Sequence, residues 1–140
     1  MKKVVILGLA CRMWVKIPLI GTVSCRSPIL AEENIEAFVS VSTSLAKIDA
    51  KYFLLHASGD SMNLAGINDG DLALVRQQPA VENGYKVVAL IDDQATIKEF
   101  YKTSEAVILK PKSSNPNHQP IILTENFQIQ GVVITTISKI

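Results

Sequence analysis

Only two cysteines occur in the 140 residues, Cys11 and Cys25. That is too few for a disulfide scaffold, and they lack metal-ligand spacing, so a reducing, cytoplasmic setting is expected. An excess of charge of either sign is also missing. Fourteen basic and thirteen acidic residues leave a net charge of +1, which removes the electrostatic footprint of a nucleic-acid binder, and no direct DNA binding by this chain is expected. A membrane-length run is absent: the apolar stretch from Val4 to Cys11, after Lys2-Lys3, cannot span a bilayer and is followed by no small-residue cleavage site. No membrane association is expected. The two histidines, His56 and His118, stand far apart with no cysteine or carboxylate at ligand spacing beside them, and read as ordinary strand and loop residues. With no glycine-rich phosphate loop either, neither a metal nor a cofactor is expected.

What is present is a folded domain. Hydrophobic residues make up 48% and charged residues 19%, which excludes a disordered chain, and the length suits one domain with a real core. The chain divides near residue 50 into an arm (1–16), a connecting segment (17–49) and a main domain (50–140). The first part reads as irregular: a short apolar stretch from Ile17 to Val23, a break at Ser27-Pro28, an acidic patch from Glu32 to Glu36 compatible with one helical turn, and a Ser/Thr-rich connector from Ser40 to Ser44. From Lys51 onward, β-like runs alternate with turn signals every eight to twelve residues. The runs are Tyr52 to Ala57, Asp71 to Arg76, Tyr85 to Ile91, Ala95 to Tyr101, Val107 to Lys110, Ile121 to Leu123 and Phe127 to Ile137. Asp92-Asp93 turns the third run back into the fourth as a hairpin. Three prolines mark the stretch from Pro111 to Pro120 as loop. No long stretch carries a 3.6-residue apolar period, so the fold class is mostly β, a small, partly open barrel or sandwich.

The chemistry concentrates in Ala57-Ser58-Gly59-Asp60-Ser61-Met62. Glycine and aspartate after a strand suit a sharp turn that lifts the Ser61 hydroxyl above the sheet edge, with backbone N–H groups aimed at the same space, as an oxyanion site requires. A serine in that position serves equally as a turn or helix N-cap residue. As a nucleophile it needs a base, and a desolvated lysine qualifies because burial disfavours the ammonium. Lys98, in Thr96-Ile97-Lys98-Glu99-Phe100, shares one strand face with Thr96 and Phe100 while Glu99 points away. It is either a buried base or a snorkelling surface lysine.

Gly59-Asp60-Ser61-Met62, followed by Ala65-Gly66-Ile67-Asn68-Asp69-Gly70-Asp71-Leu72, resembles the nucleophile region of the LexA/UmuD family of self-cleaving serine peptidases (peptidase family S24). The separation of 37 positions between Ser61 and Lys98 matches that family's Ser–Lys dyad. Ile91-Asp92-Asp93-Gln94-Ala95-Thr96-Ile97-Lys98 resembles its lysine strand. Ile17-Pro18-Leu19-Ile20-Gly21-Thr22-Val23-Ser24, with Pro28-Ile29-Leu30-Ala31-Glu32-Glu33-Asn34-Ile35-Glu36, resembles its cleavage-site region. The similarity runs over roughly residues 17–137, its blocks in the family's order.

The resemblance implies a fold of the LexA C-terminal-domain and signal-peptidase-like type that cuts its own chain. Ser61 is then the nucleophile and Lys98 the general base, the backbone N–H groups of Ser61 and Asp60 hold the oxyanion, and the scissile bond joins Cys25 to Arg26. It makes 17–49 the cleavage-site segment and connector, and 50–140 the peptidase and dimerisation domain, with Gln128 to Ile137 the interface of a homodimer. It further implies a DNA-damage (SOS) role triggered by a RecA–single-stranded DNA filament, as a repressor or as a translesion DNA polymerase subunit. Two features depart from the pattern. Only 24 residues precede Cys25, too few for the winged helix-turn-helix of LexA-type repressors, and the early cleavage site is closer to UmuD. Arg26 also stands where the family has glycine, which adopts backbone angles that arginine does not adopt freely. Slow or absent self-cleavage is expected. The competing classes are a non-cleaving dimeric binding module on the same fold, and a signal peptidase, which needs a membrane anchor that Val4 to Cys11 does not supply.

Overall fold

A computed structural model describes residues 13–23, 27–47 and 49–138. Nine strands form one open sheet in the order β2-β1-β3-β4-β9-β5-β6-β7-β8. They are β1 (Trp14–Ile20), β2 (Ile35–Ser42), β3 (Tyr52–His56), β4 (Leu72–Gln77), β5 (Lys86–Ile91), β6 (Gln94–Lys102), β7 (Val107–Lys110), β8 (Ile121–Leu123) and β9 (Phe127–Ile137). Two single-turn 3-10 helices, Glu32–Asn34 and Asn63–Ala65, complete the described elements. The fold is mostly β and the sheet does not close, as the residue pattern implies.

From Tyr52 onward the observed strands follow the expected runs to within a residue or two, because Val, Ile, Leu and aromatic residues there are flanked by turn formers. The irregular reading of the first part is corrected. Trp14–Ile20 and Ile35–Ser42 pair as antiparallel strands, from Trp14 opposite Ser42 to Ile20 opposite Ile35. The Ser40–Ser44 stretch therefore lies largely in a strand, because Val39 and Val41 pack inward beside Ile17 and Leu19. Alternation with serine hid this strand: Ser40 and Ser42 share its outer face with Glu36 and an exposed Phe38, and tertiary packing decides its state. The acidic patch does form a helical turn. Hairpin β1–β2 joins the sheet through two parallel pairs, Leu19 with Leu54 and Ile20 with Leu55.

The longest strand, β9, organises the sheet. Its C-terminal half pairs with β4 and its N-terminal half with β5, and Gly131 and Val132 pair on both sides. The residue at 131 must be glycine, since a Cβ there would fall on the Arg76 carbonyl and 2.8 Å from Val75 Cγ1. The core has three clusters. One, around Phe53, Val75 and Val88, also contains Ile29, Ala57, Met62, Ile67 and Ile97 and underlies the site described next. Among the described residues no helix is long and apolar enough to cross a membrane.

Candidate active site

The turn after β3 is held at its base by backbone bonds, Ala57 N–H to the Asp71 carbonyl (2.8 Å) and Gly70 N–H to the Ala57 carbonyl (2.8 Å). Gly59 takes a left-handed conformation, φ +83°, that favours glycine, and its N–H donates to Asp69 Oδ1 at 2.7 Å. Three residues on, Met62 is 3% exposed and anchors the turn in the core. Ser61 is therefore held half-buried between an exposed Asp60 and a buried Met62. Its N–H is given to no acceptor among the described residues, whereas the Asp60 N–H helps to hold the Asp60 carboxylate.

Lys98 arrives from the other side of the sheet. The β5–β6 hairpin turns at Asp92, φ 54°, and places Lys98 opposite Val87. The side chain is 9% exposed, which settles the choice between buried and snorkelling lysine in favour of burial. Its Nζ donates to Ser61 Oγ at 2.9 Å and to Thr96 Oγ1 at 2.7 Å. Lys98 makes no ion pair among the described residues. Desolvation is thus uncompensated by a carboxylate and pushes its pKa below the ordinary lysine range. Glu99, on the opposite strand face, accepts instead from Lys112 Nζ at 2.9 Å and from the Tyr101 hydroxyl at 3.2 Å.

Ser61 and Lys98 line a groove whose walls include Leu55, Ala57, Met62, Ile67 and Ile97. His56, exposed at the end of β3, borders it as well. Cys25 and Arg26 lie outside the described residues, but their flanks are informative. Val23 and Leu30 pack on the cluster that supplies Met62, Ile67 and Ile97, and Ile29 is part of it. Asn34, 4% exposed, joins the two flanks: its carbonyl accepts from Gly21 N–H (2.9 Å) and its Nδ2 donates to the Pro28 carbonyl (3.0 Å).

The stretch from Pro111 to Pro120 is loop, as expected, but it is fastened to the serine turn. Lys112 N–H donates to the Ser61 carbonyl (2.8 Å), and Leu64 N–H to the Lys112 carbonyl (2.9 Å). Ser113 Oγ donates to the Asp60 carbonyl at 2.7 Å. Asn63 exchanges two 3.0 Å bonds with Ser114, through its Nδ2 to Ser114 Oγ and its Oδ1 from Ser114 N–H. His118 Nε2 lies 2.5 Å from Asp60 Oδ1, and that bond, with one from Asn115, holds the Asp60 carboxyl below the usual carboxylate range. Reading His118 as an ordinary loop histidine misses this pairing, since no sequence rule links residues 58 positions apart. Thr96 was legible by alternation, on the strand face of Lys98.

A buried serine–lysine pair on an open β sheet defines a class, the β domains in which an amine stands in hydrogen-bond contact with a serine hydroxyl. Within that class the sequence comparisons are specific. The family model described as Peptidase S24-like matches residues 18–134. The chain is 42% identical over 118 residues to a LexA repressor of Leptospira interrogans (serovar copenhageni), an alignment covering 84% of this chain and 57% of the relative. It is 42% identical over 120 residues to one of Clostridium perfringens (86% and 58%) and 43% over 125 to one of Acetivibrio thermocellus (89% and 57%). This chain belongs to the peptidase S24-like family, and it spans somewhat more than half the length of these curated relatives.

Proposed function

We propose that the domain is a self-cleaving serine peptidase in which Ser61 is the nucleophile and Lys98 the general base, acting on the chain's own Cys25–Arg26 bond. The observation that carries this reading is the 2.9 Å contact between Lys98 Nζ and Ser61 Oγ, made by a lysine that is 9% exposed and has no ion-pair partner among the described residues. Neutral Lys98 accepts the hydroxyl proton as Ser61 Oγ bonds to the Cys25 carbonyl carbon, and returns it to the Arg26 amine as the peptide bond breaks. Water then hydrolyses the ester by the reverse proton route. The Ser61 N–H serves the oxyanion, and the Asp60 N–H joins it when released from its own carboxylate. In support, Val23 and Ile29, on either side of that bond in sequence, rest on the cluster under the groove, and an intramolecular substrate acts at high effective concentration.

The wider role that fits is a LexA/UmuD-like part in the DNA-damage (SOS) response, with a RecA–single-stranded DNA filament favouring the cleavable pose. The chain then works as a homodimer joined through Gln128 to Ile137. In support, apart from Gly131 and Val132, which pair on both sides, the C-terminal part of β9 pairs with β4 and the N-terminal part with β5, so among the described residues each part keeps one backbone edge for a second subunit. Arg26 favours a second reading, in which the uncleaved dimer is the working form, docked on a repressor or on a translesion polymerase subunit. Intact-mass analysis after incubation from pH 7 to about 10, beside Ser61→Ala and Lys98→Ala, separates the two. A fragment beginning at Arg26, accumulating faster as pH rises and absent from both variants, is expected of the peptidase. An uncut chain in which Arg26→Gly also fails to cleave would eliminate it.

A further inference from the structure

Among the described residues the loop after β7 makes no hydrogen bond to Ser61 Oγ or to Lys98 Nζ, yet it donates to the main chain of the serine turn at consecutive carbonyls. Lys112 N–H binds the Ser61 carbonyl and Ser113 Oγ the Asp60 carbonyl, and His118 holds the Asp60 carboxylate. The same loop reaches the lysine strand, since Lys112 Nζ pairs with Glu99, the residue after Lys98. Two elements far apart in sequence, each contributing one member of the Ser61–Lys98 pair, are thus bridged by a third. Serine turns do not require such a bridge for their own closure, which here comes from Ala57, Gly70 and Asp71.

We propose that residues 111–118 form a positioning strap, and that Ser113 and His118, by holding the carbonyl and the carboxylate of Asp60, fix the Ser61 hydroxyl against Lys98. The proposal rests on the Ser–Lys reading above. Ser113 and His118 act through Asp60 and are positioning residues, not catalytic ones. The Ser113 hydroxyl is suited to the task because it also accepts Asn115 N–H at 2.9 Å, which fixes its direction. With the strap loosened, Ser61 samples orientations out of reach of the amine, and water enters beside Lys98. Desolvation is what depresses that lysine, so its titration must move back up.

The test uses the whole chain and a small fluorophosphonate, so that it does not depend on Arg26. Ser61 Oγ bonds to phosphorus, fluoride leaves and the hydroxyl proton passes to Lys98; the rate of mass gain is followed from pH 6 to about 10.5. The variants are Ser113→Ala with His118→Phe, alone and together, His118→Gln, which restores an N–H donor, and Lys98→Ala as the control for the dyad. His56, the titratable neighbour bordering the groove, is kept throughout, as is Glu99. Loss of one or two hydrogen bonds predicts labelling slowed about five- to thirtyfold in the double variant. Its rate-against-pH midpoint should move upward, with recovery of at least half the lost rate by Gln at 118 relative to Phe. Equal rates and midpoints in parent and double variant would overturn the strap while leaving the dyad intact. So would a slower rate with an unmoved midpoint that tracks a lowered melting temperature and is not rescued by glutamine. A parent labelled no faster than Lys98→Ala would remove the dyad reading, and the strap with it.

Discussion

At the residue scale the protein is built around an amine held where amines are unfavourable. Lys98 is buried with two hydroxyls for company and, among the described residues, no carboxylate partner, so its charged form is disfavoured in the native state. Below its depressed folded pKa both native and unfolded chains carry the proton, and the full cost of burying the ammonium is present. As pH climbs from that value toward the unfolded one, the native state sheds its proton first and the cost is relieved. Lys98→Met should therefore be more stable than the parent at pH 7, by about 1 kcal/mol or roughly 3 °C in melting temperature. The advantage should shrink in the alkaline range, which paired thermal melts at pH 7 and pH 10 would show. Thr96→Val removes an oxygen that favours the ammonium. Its labelling or cleavage profile should shift to lower pH, with a plateau about three- to tenfold lower because Lys98 loses one of its two anchors. At Asn34 the polar atoms are buried and used, so Asn34→Ala should cost about 1–3 kcal/mol and loosen both flanks of residues 24–26 together. Limited proteolysis cutting first between residues 21 and 30 would register it.

At the scale of elements, β9 and the β1–β2 hairpin show how far local pattern reaches. The Val, Ile and Thr content of Phe127–Ile137 announces a strand, but nothing local says that it lies between β4 and β5. Gly131 marks the changeover, for there two neighbouring backbones crowd the strand. Gly131→Ala would push a methyl into the Arg76 carbonyl, which has no side-chain freedom with which to yield. A loss of about 2–3 kcal/mol is expected, read as a lowered denaturant midpoint with an unchanged slope. The hairpin fails sequence reading for the opposite reason. Ser40 and Ser42 weaken the β signal in β2, and only partnership with Ile17 and Leu19 of β1 makes Val39 and Val41 core residues.

For the whole molecule the decisive relation is between the segment around residues 21–30 and the groove. Val23, Ile29 and Leu30 pack on the cluster that floors the groove, so the described residues before and after 24–26 are both anchored to the core beneath Ser61 and Lys98. If the backbone freedom of glycine is what the scissile position needs, Arg26→Gly should raise the self-cleavage rate at least tenfold while leaving fluorophosphonate labelling of Ser61 unchanged. Intact-mass time courses on both proteins decide it. Equal rates would mean that arginine is accommodated and that slow cleavage, where observed, has its cause in the dyad or its strap.

By itself the sequence determined the main domain's strands, because β-like runs there are bounded by local turn formers such as Asp69-Gly70 and Asp92-Asp93. It also nominated Ser61 and Lys98, through turn chemistry, strand alternation and a familiar spacing. What only the tertiary structure decided is whatever needs two distant segments in one place. Burial of Lys98 was undecided in the sequence, since an amine on an alternating strand is buried or exposed according to what packs over it. The pairing of His118 with Asp60, the fastening of Ser113, and the clasp of Asn34 across residues 21–28 likewise have no local signal. Hydrogen bonds and desolvation act over a few ångströms in space and take no account of separation along the chain. A residue's type therefore announces what it is able to do, and the fold supplies the partner with which it does it.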